Sequence, residues 1–200
     1  MLKLYEYPPS GNCYKIRLLL AQLGIPVERV TVDILKGESR TPAYLQLNPN
    51  GRVPLLVLDT GETLTESNAV LCYLAEGTPY WPAGRLERAR VLEWMFFEQY
   101  EHEPNIATSR FWIAYLQKAE AFAEALAQKQ QKGHAALGVM ENHLARHDFL
   151  AAGRYTVADI ALYAYTHVAE EGNFSLANYP AVRSWLARVA AQAGHIPITA

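Results

Sequence analysis

An eight-residue break, Gly77-Thr78-Pro79-Tyr80-Trp81-Pro82-Ala83-Gly84, divides the chain into two halves of different periodicity. Its two prolines and two glycines cannot continue a helix and mark a linker. Residues 1–77 alternate short β-rich runs with helical patterns, whereas residues 85–194 read as helix throughout. The expected fold class is therefore α/β plus all-α. The expected domains are an α/β domain over 1–77, a linker over 78–84 and an all-helical domain over 85–200.

The composition removes several classes of function. The chain has 200 residues, half of them hydrophobic and 19% charged, so it supports packed cores rather than disorder. Its formal net charge of −2 offers no basic surface for nucleic acid and no polybasic membrane patch. No apolar run approaches the roughly 18 residues of a membrane span. The start, Met1-Leu2-Lys3-Leu4-Tyr5, lacks the pattern of a secretory signal. Two cysteines, Cys13 and Cys72, are too few for a disulfide framework, and a cytoplasmic setting is expected.

The first half reads β-α-β-α-β-β-α. Leu2–Tyr7 is strand-like and ends at Pro8-Pro9. Ile16, Leu19, Leu20 and Leu23 share one helix face, and Gly24 and Pro26 end that helix. Val27–Val32 is a second strand. Thr41-Pro42 is an N-cap followed by proline at the first helical position. Residues 54–58 and 63–64 flank a hairpin turn, and Ala69, Val70, Tyr73 and Leu74 give a third helix. In the second half the pattern predicts helices from Arg85 towards Glu103, stopping at Pro104, from Ile106 to Lys132 and over Ala135–His147. A capping-box start at Thr156-Val157-Ala158-Asp159 opens another, and the last follows Pro180.

Three segments of the first half can carry chemistry. Ser10-Gly11-Asn12-Cys13 stands where the first helix begins. Helix N-termini present unpaired N–H groups and a positive dipole end, so a serine hydroxyl there can donate to a thiolate. The same serine also suits a plain N-cap. The spacing is that of a Cys-x-x-Cys motif with serine in first place, which excludes dithiol exchange but leaves a lone Cys13. Asn48-Pro49-Asn50-Gly51-Arg52-Val53-Pro54 leads into a strand. A cis Val53–Pro54 bond would turn the Val53 backbone outward to pair with an extended peptide, and an ordinary loop is the alternative. Thr65-Glu66-Ser67-Asn68 precedes the third helix. Ser67 and backbone N–H groups there can hold a carboxylate, and Glu66 an ammonium, a pairing that suits an amino-acid head. Lys36, Arg40 and Arg52 are cations available to a second carboxylate.

Taken in this order, the segments resemble the glutathione transferase family over nearly the whole chain. The residues that carry the resemblance are Asn48-Pro49-x-Gly51-x-Val53-Pro54 and Glu66-Ser67. The helical half adds Phe149-Leu150-x-x-Gly153-x-x-Thr156-x-Ala158-Asp159. The resemblance implies a thioredoxin-like N-terminal domain, a C-terminal helical-bundle domain and a homodimer. It implies glutathione as cosubstrate, with no other cofactor and no metal. Val53, before the family's cis-proline Pro54, would pair with the cysteinyl backbone. Glu66 and Ser67 would hold the γ-glutamyl head, with Lys36, Arg52 and Arg40 near the glycyl carboxylate.

Some members use a tyrosine as thiolate donor, and Tyr7 is better placed for that than Tyr5. Ser10-Gly11-Asn12 more closely resembles the serine-type bacterial, theta and zeta members. Ser10 is accordingly the expected catalytic residue, with Asn12 assisting and Cys13 a bystander. Asp159 belongs to folding of the helical core. The second substrate, a small apolar electrophile, is expected between the domains near Tyr100, Arg110 and Phe111. A metal held by Glu101, His102 and Glu103 is rejected, because successive helical residues do not share a face. Two alternatives to conjugation are glutathione-dependent peroxide or disulfide reduction, and a non-catalytic binding protein.

Overall fold

Strand β1 (Leu2–Glu6) is an interior strand of a four-stranded sheet of order β2-β1-β3-β4. The computed structural model describes residues 1–200. β2 (Val27–Thr31) runs parallel to β1, with Leu2 opposite Val27 and Glu6 opposite Thr31. A parallel pair needs a crossover, and α1 (Gly11–Leu23) supplies it. β3 (Leu55–Val57) and β4 (Thr63–Thr65) are antiparallel to their neighbours. They are joined by the expected turn, in which Leu58 N–H donates to Glu62 O at 2.8 Å. α2 (Pro42–Leu47) begins at Thr41, whose hydroxyl accepts from Tyr44 N, and has proline in its first turn. α3 (Ser67–Ala75) packs against α1. Two short 3-10 turns, Ile34–Lys36 and Glu38–Arg40, occupy a stretch without sequence periodicity.

α1 is sequestered along its length. Every residue from Cys13 to Leu20 is buried. It ends at Gly24, which takes φ +65° and donates back to Ala21 O and Leu20 O, a left-handed cap that glycine adopts without a Cβ penalty.

The helical half consists of α4 (Arg85–Phe97), α5 (Glu103–Arg110), α6 (Ala123–Leu144), α7 (Val157–Thr166) and α8 (Pro180–Ala190). Two expectations about it need correction. The helix expected to stop at Pro104 instead passes through a π-turn, Glu98–His102, and continues as α5 with Pro104 in its first turn. The long helix expected over 106–132 breaks after a second π-turn, Phe111–Tyr115, and α6 starts only at Ala123. Gln117 takes φ +52° and Trp112 stacks on Phe122 at 4.5 Å, so the chain doubles back without glycine or proline. Gly133, which fell between two expected helices, lies inside α6. A Cβ there would collide with the Phe174 ring, so this glycine serves close packing.

α7 is the centre of the second unit, with all ten residues buried. Its start is the expected capping box: Thr156 N–H donates to Asp159 Oδ2 at 2.9 Å, and Asp159 N–H returns to Thr156. Asp159 Oδ1 also accepts from Leu150 N at 3.0 Å and Trp185 Nε1 at 2.9 Å. No helix is long and apolar enough to cross a membrane.

The chain divides into two units, Met1–Gly77 with Ala193–Ala200, and Thr78–Gln192. Residues 193–200, read from the sequence with the helical half, therefore join the first unit. Tyr14 Oη donates to Ile196 O at 2.6 Å, Arg17 to Ile198 O at 2.6 Å and Arg29 to Ala200 O at 2.9 Å. Arg17 and Arg29 also pair with the buried Glu6 carboxylate. Backbone carbonyls of a tail carry no sequence signature, so this contact could not be read from the chain.

Candidate active site

The site is assembled from the ends of α1 and α3 and the loop before β3. Ser10 takes extended backbone angles and caps α1, its Oγ accepting from Cys13 N at 3.4 Å. A hydroxyl that accepts this bond still has its own proton to give. The N-cap and donor readings of Ser10 are thus compatible. Cys13 beneath it is fully buried. Burial pushes its thiol up to about 12, against the opposing bonds from Ser10 and the Tyr7 backbone. A thiol held that high is almost wholly protonated at neutral pH. Tyr5 packs edge-on against Tyr44 at 6.1 Å as part of the sheet's apolar cluster, and Tyr7 O accepts from Ser10 N at 2.8 Å.

The loop 48–54 is held by local turn chemistry. Asn48 Oδ1 accepts from Asn50 N at 3.0 Å, an Asx turn, and Asn48 O accepts from Gly51 N at 2.8 Å. Gly51 takes φ +61°, and a Cβ there would stand 2.6 Å from Arg40 Nη1. Asn48 Nδ2 and Tyr44 Oη both donate to Arg52 O, at 2.8 and 2.7 Å. This clamp fixes the backbone immediately before Val53. The Val53–Pro54 bond is cis, and the ladder of β3 begins only at Leu55. Val53 therefore lies past its end.

Of the three cations near this loop, Arg40 donates to Asn50 O at 3.0 Å, while Arg52 is exposed. Lys36 is exposed and pairs with Asp33 at 3.3 Å.

The start of α3 is unusual. Glu66 takes φ +65° and ψ +110°, which a residue with a Cβ adopts only under strain. It is exposed, and no side chain caps the helix. Ser67 is 5% exposed, and its Oγ donates to Asn12 Oδ1 at 3.3 Å. That bond ties the start of α3 to the first turn of α1. With Oδ1 engaged, the Asn12 amide keeps Nδ2 as its donor end. Lys15, which sequence reading passed over, is 0% exposed and donates from Nζ to Ser67 Oγ at 3.2 Å and Asn68 Oδ1 at 3.3 Å. The available signal was a cation inside an otherwise apolar helical run.

The residues expected around the electrophile lie in the second unit. Tyr100 is exposed in the first π-turn. Arg110 is buried, pairs with Glu171 at 2.8 Å and donates to Tyr115 Oη at 2.6 Å. Phe111 stacks on Tyr115 with ring centroids 6.3 Å apart. Arg110 is thus engaged within its own unit.

A four-stranded mixed sheet with its helices, followed by a helical unit, defines a thioredoxin-like domain joined to a helical domain. Residues 1–76 match the family described as "Glutathione S-transferase, N-terminal domain", and residues 105–193 match "Glutathione S-transferase, C-terminal domain". The chain belongs to the glutathione S-transferase family. Among solved structures it is similar to a possible glutathione S-transferase from Rhodopseudomonas palustris, at 51% identity and TM-score 0.96, covering 99% of this chain and 90% of that one. It is also similar to a glutathione S-transferase from Pseudomonas fluorescens, at 47% identity and TM-score 0.98, covering 100% of this chain and 99% of that one. Among curated proteins it is 32% identical to glutathione S-transferase 3 of Zea mays, over 96% of this chain and 90% of that protein.

Proposed function

We propose that this protein binds glutathione across the starts of α1 and α3 and activates its thiol for attack on a small electrophile. The observation that carries the reading is the Ser67–Asn12 hydrogen bond at 3.3 Å, which holds the start of α3 beside the start of α1 and supports a head group and a thiol bound side by side. Ser67 and the first amides of α3 receive the γ-glutamyl carboxylate, and the exposed Glu66 carboxylate takes the ammonium. Val53, before Pro54, pairs its backbone with the cysteinyl residue. Arg40 and Arg52, with Lys36, supply positive charge for the glycyl carboxylate. Tyr100, Arg110 and Phe111 remain the proposed surroundings of the electrophile. We further propose a homodimer in a cytoplasmic setting. Exposed Leu92 and Phe96, four residues apart on α4, are an apolar surface that such a dimer would cover.

The chemistry follows from charge. A free thiol has a pKa near 8.5, so only a few per cent is thiolate at neutral pH. Lowering it by two units takes ~2.7 kcal/mol of preference for the anion. A hydrogen bond from Ser10 Oγ–H, the Asn12 Nδ2 donor and the α1 dipole together supply that much. The thiol proton leaves to solvent. The sulfur lone pair then forms a bond to an electrophilic carbon, and an aryl halide loses halide. The high-lying thiol of Cys13 counts against a reductase that works through this cysteine.

Calorimetry with glutathione, followed by conjugation to an aryl halide, tests the reading. The parent is expected to bind and turn over. Glu66→Ala is expected to bind about tenfold more weakly. Ser10→Ala is expected to bind but lose turnover. Absence of binding by the parent at millimolar glutathione would remove the reading.

A further inference from the structure

Two buried side chains converge on one main-chain oxygen in the loop before β3. Tyr44 and Asn48 are 5% and 3% exposed, and both donate to Arg52 O, from Oη at 2.7 Å and from Nδ2 at 2.8 Å. A carbonyl oxygen has two lone pairs, so this one is fully engaged. The Arg52–Val53 peptide is trans, and in a trans unit the N–H points opposite to the C=O. Holding Arg52 O inward therefore turns Val53 N–H outward. The Val53 side chain adds an anchor by packing on the cluster of Val32, Tyr44 and Leu55. Val53 N–H donates to nothing within the protein. Hydrogen bonds accepted at the oxygen of an amide also polarise it and strengthen the donor at its nitrogen. Burial pushes the Tyr44 phenol up to about 12, so its proton is in place throughout the neutral range.

We propose that Tyr44 and Asn48 are positioning residues that aim the Val53 N–H at the cysteinyl carbonyl of glutathione. They act without reaching the ligand, through one peptide unit whose oxygen they hold and whose N–H the ligand meets. The clamp also sets a specificity. It favours extended peptides that place an acceptor opposite Val53 N–H, and a ligand without that carbonyl gains nothing from it. The inference rests on the glutathione-binding reading above and assigns two new residues to it.

The test crosses two protein variants with two ligands, read by calorimetry. The ligands are S-hexylglutathione and its counterpart with a trans alkene in place of the cysteinyl–glycyl amide, which keeps the extended shape but lacks the carbonyl. Tyr44→Phe removes one hydroxyl and keeps the ring against Tyr5. Asn48→Asp keeps the Oδ1 that accepts from Asn50 N and removes the donor to Arg52 O. Circular dichroism and urea midpoints establish that each variant is folded, and either one suffices. A lost neutral hydrogen bond is worth on the order of fivefold in affinity. The parent is expected to bind the alkene at least about fivefold more weakly than S-hexylglutathione. Each variant is expected to weaken S-hexylglutathione by about fivefold and the alkene by less than about twofold. Equal weakening of both ligands, or of neither, overturns the assignment while leaving the glutathione site in place. A parent that binds the two ligands equally overturns the Val53 pairing and this inference with it. Failure of the parent to bind S-hexylglutathione at all overturns the binding reading as well.

Discussion

The starts of α3 and α7 are the same kind of object, a helix N-terminus with unpaired amides, yet the protein treats them oppositely. At α7 the capping box is complete, and Asp159 accepts from two backbone amides, the Thr156 hydroxyl and the Trp185 indole without reaching solvent. At α3 no side chain caps the helix, Glu66 is strained and exposed, and a buried lysine backs the first turn. A helix start that satisfies itself is an element of the core. One that stays open and carries strain is available to a ligand, the use proposed for it above.

The largest expected effect tests the closed end. Asp159→Ala leaves the Leu150, Thr156 and Trp185 donors buried without an acceptor, so urea unfolding is expected to show a loss of about 4 kcal/mol. Glutathione affinity of the folded protein should stay within about twofold, since nothing at α3 depends on this carboxylate. A large, selective loss of glutathione binding would break the comparison.

The second effect concerns the same group and pH. Burial outweighs its four donors and raises Asp159 from 3.8 to about 6. A carboxyl that holds its proton more tightly when folded favours the fold fully below about pH 4, and the benefit fades as pH rises through about 6. Relative to Asp159→Asn, which cannot titrate, the parent is expected to lose up to about 3 kcal/mol between those limits. Urea midpoints at several pH values read it. A flat difference would remove this proton from the stability of the helical unit.

At the start of α1, beside the open end, Ser10→Ala is expected to lower kcat about a hundredfold with little change in glutathione affinity. Steady-state kinetics separates the two. A loss confined to KM would make Ser10 a cap only. The smallest effect is the sharpest for the comparison. Glu66→Gly should relieve the φ +65° strain and raise stability by about 1 kcal/mol, while weakening glutathione. Destabilisation by this change would mean that Glu66 supports the fold instead of the ligand.

The parts legible in the sequence are those built from local chemistry. The order of elements in the first half followed from period, proline and glycine. The Thr156–Asp159 cap could be read because its partners are three residues apart. The Asn48–Gly51 turn and Ser10 at the start of α1 were legible for the same reason. What escaped depends on distant partners. Lys15 meets Ser67 across 52 residues, and its place beside Ile16 and Leu18 gave no sign of a polar neighbour. The break between α5 and α6 lacks glycine or proline and comes from packing of Trp112 on Phe122. Gly133 fell in a gap between two expected helices because its reason, the Phe174 ring, lies elsewhere in the chain.

The most direct measurement is an ultraviolet difference titration of bound glutathione against pH, with Ser10→Ala beside the parent. The parent is expected to carry glutathione as thiolate at pH 7, with a thiol pKa about two units below the free value of ~8.5, and Ser10→Ala is expected to lose most of that shift. A parent that binds glutathione with its thiol at the free value, or a Ser10→Ala variant that keeps the full shift, would contradict thiol activation at the start of α1.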